Sequence, residues 1–300
     1  MRGENMPILN EFEYFKPSTV SEAVRLLSKY KRPAMLAGGT DLLNNLKTEV
    51  ERPDAVIDVK GIAALKGITY KNGVLTIGAA VTFSELLESK IIKSKYPVIA
   101  EVAGMVGSVG IRNRATMVGN ICSAVACADS GPLLIAYEAT ICLRGAKGKR
   151  RVPAAKWFKG NKKTDIKRGE LVTSIEIPLP ARKHSGCYVR LGRYSGEDLA
   201  QASVLILALP QKQYRVVFGS VGPVPIRAAK IEALLAGKDL SDDLIAQCQA
   251  LIVGTVSPIT DVRASKEYRL HMCEVMFARG IRAAESRLRG EEPEYGMRLI

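Results

Sequence analysis

The segment AGGTDLL, from Ala37 to Leu43, follows a short apolar run, AMLA, that predicts a β-strand. Glycine readily adopts positive φ angles, and a glycine corner leaves consecutive backbone N–H groups uncovered. Such groups can bind an anion, phosphate above all. Thr40 could add a hydroxyl donor, whereas Asp41 would repel phosphate and is expected to cap backbone N–H groups. Alone, the corner also fits a turn without a ligand, because it matches neither the GxGxxG nor the Walker pattern.

A second glycine corner, TMVGN, spans Thr116 to Asn120, and Asp129 follows it by nine residues. A carboxylate at that position could accept hydrogen bonds from ribose hydroxyls, as acidic residues do in other dinucleotide sites. Two phosphate-binding corners and a ribose acceptor together predict a dinucleotide that lies extended between two subdomains.

Strand and helix signals alternate around both corners. Capping-box pairs at Thr19 and Glu22 and at Thr82 and Glu85 predict helix starts, and the runs DAVIDV and GVLTIGAAV predict strands. After Pro178, the runs CYVRLGR, ASVLILAL and YRVVFGSVG predict a meander of strands that is followed by helices. A chain of 300 residues is long for one small core, so the pattern predicts an α+β protein of two domains.

Composition argues against several classes of protein. No run approaches the roughly 20 apolar residues of a membrane span, and the N-terminus lacks the apolar region of a secretory signal, so a cytoplasmic location is expected. The six cysteines contain no C-x-x-C pair, which favours free buried thiols over a metal or cluster role. The two histidines are too isolated to predict a metal site or a catalytic triad.

The net charge of +14 is concentrated between Arg144 and Arg168. This basic window holds eleven Lys or Arg residues and one acid, Asp165. One interpretation is a solvated hairpin with lysines along its exposed edge. The other is a docking surface for an acidic partner. No nucleic-acid-binding motif accompanies the charge, so a nucleic-acid partner is not predicted.

The ordered set of motifs resembles a known family. The set comprises AGGTDLL, IGAAVTFSEL, IRNRATMVGN, Asp129, GELVTSIEIPLP and YVRLGR, and it continues with VGPVPIRAAKIEALLAGK and SPITDVRASKEYRLHM. Over roughly residues 8–288 it is similar to the FAD-binding (medium) subunit of the molybdenum hydroxylases, of the xanthine dehydrogenase and carbon monoxide dehydrogenase type.

The resemblance implies a fold. An α+β, two-subdomain FAD-binding domain of the PCMH type would occupy residues 1–178, with subdomains of roughly 1–58 and 59–178. A C-terminal flavoprotein domain, a small antiparallel sheet plus helices, would occupy residues 179–300. The tail from residue 290 is expected to be loosely ordered.

The resemblance also implies a role as an oxidoreductase subunit with FAD as the cofactor of this chain. The expected partners are a small subunit with two [2Fe-2S] clusters and a large molybdopterin subunit, in a dimer of heterotrimers. Electrons would pass from the clusters through FAD to an external acceptor, either NAD or a redox carrier. Neither a catalytic residue nor a metal ligand is expected in this chain.

The cofactor-binding residues follow position by position from the family. Two glycine stretches would bind the pyrophosphate, Asp129 the ribose or adenine end, and Val172 would lie on the flavin side. Arg190 occupies a position where the family often has lysine. The implied set is Leu36, Ala37, Gly38, Gly39, Thr40, Asp41, Leu42, Gly107, Thr116, Met117, Val118, Gly119, Asn120, Asp129, Val172 and Arg190.

One residue departs from the family pattern T-x-G-G-N, because Val118 replaces its first glycine. A positive φ at this position would strain a β-branched residue and weaken FAD binding. A negative φ would change only the direction of the side chain, and we expect this second case because the other motifs are present. Two alternatives remain open: a structural subunit that has lost FAD, and a stand-alone flavin oxidoreductase.

Overall fold

The computed structural model describes residue 8 and residues 10–181, 183–194 and 197–300. In these ranges the chain forms three sheets of three or more strands, each from one continuous segment, and one two-stranded hairpin. None of the helices in these ranges combines the length and apolar character that a membrane crossing requires.

The first segment forms a small parallel sheet with two helices. Thr19 caps the first helix, because its side chain accepts a hydrogen bond from the backbone N–H of Glu22. The Glu22 carboxylate accepts from the N–H of Ser18, so the predicted capping box is not completed at Thr19. The elements are β1 Glu13–Phe15, α1 Val20–Lys29, β2 Pro33–Leu36, α2 Leu42–Lys47 and β3 Ala55–Asp58, in the strand order β1-β3-β2.

The second segment forms a five-stranded antiparallel sheet with short helices on it. The stretch from residue 97 to 136, rich in small residues, folds into four of these helices. The elements are 3₁₀ turn Ala63–Leu65, β4 Ile68–Lys71, β5 Val74–Gly78, α3 Phe83–Glu88, α4 Lys90–Lys95, α5 Pro97–Gly104, α6 Val109–Arg112, α7 Met117–Ser123, α8 Ser130–Ala136, β6 Thr140–Gly145, β7 Gly148–Pro153, α9 Ala154–Trp157, β8 Phe158–Gly160, β9 Lys163–Thr164 and β10 Leu171–Pro178. The strand order is β4-β5-β10-β6-β7, and β8 pairs with β9.

The third segment forms an antiparallel meander followed by helices, as the sequence predicts. The elements are β11 Ser185–Leu191, β12 Ala202–Leu209, 3₁₀ turn Pro210–Lys212, β13 Gln213–Gly219, β14 Ile226–Arg227, α10 Ala229–Leu235, α11 Asp242–Ala250 and α12 Lys266–Arg289. Every residue of β12 is buried, because one face of this strand meets the second segment and the other meets the C-terminal helices. Burial on both faces explains its unbroken apolar run.

A buried ion pair connects the second and third segments. Glu101 of α5 pairs with Arg287 of α12 at 3.0 Å, and the same carboxylate accepts from the N–H of Tyr188 at 2.8 Å. Paired charges with further hydrogen bonds are tolerated in an interior, whereas an unpaired charge is costly there. The pair therefore fixes the position of α5 against β11 and α12.

The last residues make specific contacts, whereas the sequence predicts a loosely ordered tail from residue 290. Arg287 donates to the carbonyl oxygens of Pro293 and Glu294, and the N–H of Gly296 donates to Glu101 at 3.0 Å. The Tyr295 ring lies 4.3 Å from the Arg287 guanidinium. The buried guanidinium needs these acceptors, and the tail supplies them.

Candidate functional site

The first glycine corner is the turn between β2 and α2. Gly39 has a φ of +81°, in the left-handed region that favours glycine. From Gly38 to Leu42, the backbone N–H groups have no acceptor among the described residues. Thr40 lies half-buried within this run. A row of unpaired N–H groups is an anion-binding feature, so this corner fits a phosphate.

The second corner is the start of α7. The Thr116 hydroxyl accepts from the N–H of Gly119 at 2.9 Å, and the N–H groups of Met117 and Val118 have no acceptor in the described chain. A Cβ at Gly119 would lie 2.9 Å from the Thr116 hydroxyl oxygen, so glycine leaves room for this cap. The first turn of the helix therefore presents unpaired N–H donors. Together with the helix dipole, these donors make the turn suited to an anion.

Val118 lies inside α7 and does not have a positive φ. Its side chain is 6% exposed and belongs to the core shared by the first two segments. The expectation of a negative φ at this position is thus confirmed. The valine replaces glycine without backbone strain, because its side chain points into the apolar core.

The two corners touch each other. An added Cβ at Gly38 would lie 2.1 Å from the carbonyl oxygen of Arg114 and 2.8 Å from Cα of Ala115, just before the second corner. Ser123, at the end of α7, donates its hydroxyl hydrogen to Asp41 at 2.5 Å. The two corners therefore form one cradle, which we call the glycine cradle: residues 36–42 and 116–120.

Asp41 does not play the role that the sequence predicts. It stands at the N-cap position of α2, yet its side chain accepts from no backbone N–H of that helix. The carboxylate of Asp41 instead accepts a hydrogen bond from the Ser123 hydroxyl. The cap prediction is wrong because a donor from a distant part of the chain competes for the side chain.

Gly107 lies on the approach to the second corner and has a φ of +48°. Arg112 donates to the carbonyl oxygens of Val106 and Gly107, at 3.0 and 2.9 Å, and so fixes this turn. Gly107 and Arg190 both line a cleft of about 1010 Å³ between α5, β11 and the C-terminal tail.

Asp129 is buried and bound to two groups of β11. Its Oδ1 accepts from the Tyr188 hydroxyl at 2.6 Å and from Nε of Arg190 at 3.0 Å. Burial raises the pKa of Asp129, while Arg190 and the Tyr188 hydroxyl oppose that rise. Both hydrogen bonds end on Oδ1, which leaves Oδ2 to accept from a ligand hydroxyl.

The amide of Asn120 connects the cradle to Asp129, because its oxygen accepts from the N–H of Ser130 at 3.2 Å. Leu36 is the last residue of β2, and its carbonyl accepts from the N–H of Val59. The strand therefore positions the first corner, which continues with Ala37.

Val172 lies in the core of the second sheet, opposite Leu143, and is 2% exposed.

Sequence reasoning missed three contributors to the site: Ser123, Tyr188 and the backbone at Arg114. A signal existed for Tyr188, because residues two apart in a strand share a face and Arg190 was already a candidate. No local pattern identifies Ser123 or the Arg114 carbonyl, since both act through contacts with residues distant in sequence.

Comparison with known proteins identifies the family. Residues 10–180 match the FAD-binding domain in molybdopterin dehydrogenase, and residues 209–284 match the CO dehydrogenase flavoprotein C-terminal domain. The glyceraldehyde dehydrogenase medium chain of Sulfolobus acidocaldarius is 34% identical over 272 residues, which cover 89% of this chain and 95% of that protein. The xanthine dehydrogenase FAD-binding subunit of Escherichia coli O157:H7 is 30% identical over 271 residues, 88% of this chain and 92% of that protein.

A solved structure agrees over nearly the same length. Carbon monoxide dehydrogenase from Hydrogenophaga pseudoflava, in a form that lacks the Mo-pyranopterin moiety, contains a chain that superposes with a TM-score of 0.90 at 31% identity, covering 93% of this chain and 99% of that one. The chain therefore belongs to the family of FAD-binding medium subunits of the molybdenum hydroxylases, oxidoreductases of the xanthine dehydrogenase and carbon monoxide dehydrogenase type.

Proposed function

We propose that this chain binds FAD across the glycine cradle and transfers electrons from [2Fe-2S] clusters of a partner subunit to an external acceptor. The observation that carries the proposal is the row of unpaired N–H groups from Gly38 to Leu42 in contact with the segment that leads into α7. Hydrogen-bond donors without protein acceptors, from two corners that touch, fit the two phosphates of a dinucleotide.

Each part of the site has a distinct task in this proposal. The two corners hold the pyrophosphate, and Oδ2 of Asp129 accepts from a hydroxyl of the cofactor. Arg190 is held by Asp129 and by the carbonyl of Asp198, so its cation lies fixed in the cleft beside the carboxylate that would accept from the cofactor. Val172, which the resemblance implies for the flavin side, is buried in the core of the second sheet and does not line this cleft. Bound FAD exchanges electrons either singly or in pairs, which lets it connect one-electron and two-electron partners.

The proposed partners are the small iron–sulfur subunit and the large molybdopterin subunit, in a dimer of heterotrimers. NAD or a redox carrier is the proposed acceptor. We place the FAD-binding domain at residues 1–178 and the C-terminal domain at residues 179–300. The six cysteines are free thiols, which suits the reducing cytoplasm as the site of action.

The test is the flavin content of the purified chain. Its absorbance spectrum should have flavin bands, and acid-released flavin should amount to one FAD per chain. Co-expression with an iron–sulfur small subunit and a molybdopterin large subunit from the same organism should yield one complex, in which reduction of the clusters bleaches the flavin bands. A chain that stays colourless after incubation with FAD would overturn the proposal.

A structural subunit without FAD is the second candidate, and Val118 is the residue that motivated it. The negative φ and core burial of Val118 count against this candidate. A stand-alone flavin oxidoreductase is the third. Turnover of an organic substrate by the lone chain would favour the third candidate over the first.

A further inference from the structure

The hairpin β8–β9 is attached to the glycine cradle. At its tip, the N–H of Lys162 donates to the carbonyl oxygen of Ala124 at 2.7 Å, and Asn161 accepts from the N–H of Ala126 at 3.0 Å. Just before the hairpin, the indole N–H of Trp157 donates to the carbonyl of Ile121, within α7, at 2.9 Å. These bonds fix the tip against the end of α7.

The attachment point lies beside the hydrogen bond that joins the end of α7 to the first corner. Ser123, which donates to Asp41 of the first corner, immediately precedes Ala124, which accepts from Lys162. The residue that holds the hairpin tip therefore follows directly, along the chain, a residue that contacts the first corner of the cofactor site.

The tip carries cations that no carboxylate of the described residues neutralises. Lys162 and Lys163 are exposed, and neither has an ion-pair partner within the ranges that the structure describes. The acid of the basic window, Asp165, is already paired with Arg150 at 2.7 Å and with Lys159 at 3.3 Å. The positive charge at the tip is therefore available to a partner.

We propose that the hairpin tip, residues 161–163, is the docking surface for an acidic redox protein that removes electrons from this subunit. The proposal rests on the proposed function and adds the identity of the acceptor class. In each encounter a one-electron carrier gains one electron and the bound cofactor loses one, with its protons released to solvent, so two encounters remove a pair.

The chemistry of the tip favours a transient carrier over a permanent subunit. Lysine is depleted in the buried centres of stable interfaces, whereas exposed charge accelerates and orients brief encounters. Exposed lysines attract an acidic surface over about a Debye length, roughly 10 Å at 0.1 M salt. The tip therefore suits a small acidic protein that must leave after each transfer.

The same window contains a matched control surface. Lys147 and Lys149 lie at the turn between β6 and β7 and on β7, are exposed, and have no ion-pair partner in the described chain. The strand β7 is the edge of its sheet and pairs with β6 alone, and no described hydrogen bond joins it to the cradle. Lysines on an edge strand prevent it from pairing with strands of other chains.

The experiment uses the complete complex, reduced anaerobically with dithionite and freed of excess reductant. Stopped-flow mixing follows the reduction of succinylated cytochrome c, an acidic probe, and of native cytochrome c, its basic counterpart. We expect the rate with the acidic probe to fall about tenfold in Lys162→Glu/Lys163→Glu and to fall with salt, while Lys147→Glu/Lys149→Glu stays near wild type. With the basic probe, the tip variant should be no slower than wild type.

Equal rates in the two double variants, or a salt-independent rate with the acidic probe, would overturn the proposal. FAD content is measured on every variant, and a loss confined to the tip variant calls for the milder pair Lys162→Gln/Lys163→Gln, for which a smaller decrease is expected. A wild-type complex without flavin refutes the proposed function instead, so the two failures are distinguishable.

Discussion

The two glycine corners use different residues to reach the same result. At the first corner, Gly38 has no room for a Cβ, and Gly39 adopts a φ of +81°. At the second, the chain is already helical at Val118, and a β-branched residue replaces glycine with its side chain in the core. Both corners nevertheless present N–H groups that have no acceptor among the residues that the structure describes.

The difference shows that a binding motif can require glycine for two reasons. The backbone can need a positive φ, or the surroundings can leave no space for a Cβ. At the first corner both needs apply, because the loop must turn and must also touch the backbone of the second corner. Neither of these two requirements for glycine applies to position 118 in the second corner. The consequence is an ordered set of expected effects on FAD affinity, which the following four variants test.

Gly38→Ala should have the largest effect. Its Cβ would lie 2.1 Å from the Arg114 carbonyl oxygen, so the two corners must move apart. We expect FAD affinity to fall about 100-fold, or about 3 kcal/mol. The measurement is a fluorescence titration of the flavin-free chain. Gly61→Ala is the control, because no atom lies within 4 Å of its added Cβ. An unchanged affinity in Gly38→Ala would show that the corners need not touch.

Asp129→Asn should weaken FAD binding about tenfold, since the ligand loses a charged acceptor and Arg190 loses its ion pair. Burial raises the pKa of Asp129, so its carboxyl takes up a proton at a higher pH than an ordinary aspartate. As the pH falls below neutrality, wild-type affinity should decline toward that of the variant. A wild-type affinity that does not change with pH over the whole range in which the chain stays folded would contradict this role.

Ser123→Ala should have a smaller effect, about threefold on FAD affinity. The variant removes the 2.5 Å bond that holds Asp41 beside the end of α7, but it leaves the backbone of both corners in place. A typical hydrogen bond contributes about 0.5–1.5 kcal/mol, and at this exposed pair water replaces part of what is lost. Calorimetric titration measures the FAD affinity of the variant, and Ser94→Ala on α4 serves as a surface control. A loss as large as that of Gly38→Ala would mean that this bond, rather than glycine packing, joins the corners.

Val118→Ala should change FAD affinity least, by less than twofold. Removing two buried methyl groups should instead lower the free energy of unfolding by about 2 kcal/mol. Thermal unfolding of the flavin-free chain measures the stability, and the same titration measures affinity. A large change in affinity with unchanged stability would place the Val118 side chain in the cofactor site.

The sequence predicted the parts of this molecule that depend on local patterns. The alternation of DAVIDV, the apolar run of β12 and the caps at Thr19 and Thr82 each correspond to an observed strand or helix start. The negative φ of Val118 was also expected, because the other motifs of the family are present, and the helix that begins after Thr116 is its structural cause.

The sequence did not predict the contacts between residues that are distant along the chain. The role of Asp41 was mispredicted because Ser123 lies far along the chain. The contacts of the last residues depend on Arg287 and Glu101, which belong to different segments. Both halves of the basic window are rich in lysine and arginine, and the bonds of Trp157, Asn161 and Lys162 distinguish the hairpin from the sheet edge.

The most direct test of the account is the FAD-to-protein ratio of the wild-type chain, measured beside Val118→Gly after identical purification. If the helical start of α7 holds the phosphate regardless of the side chain at position 118, both proteins should contain one FAD per chain. A wild-type chain without flavin, beside a glycine variant that retains it, would contradict the account.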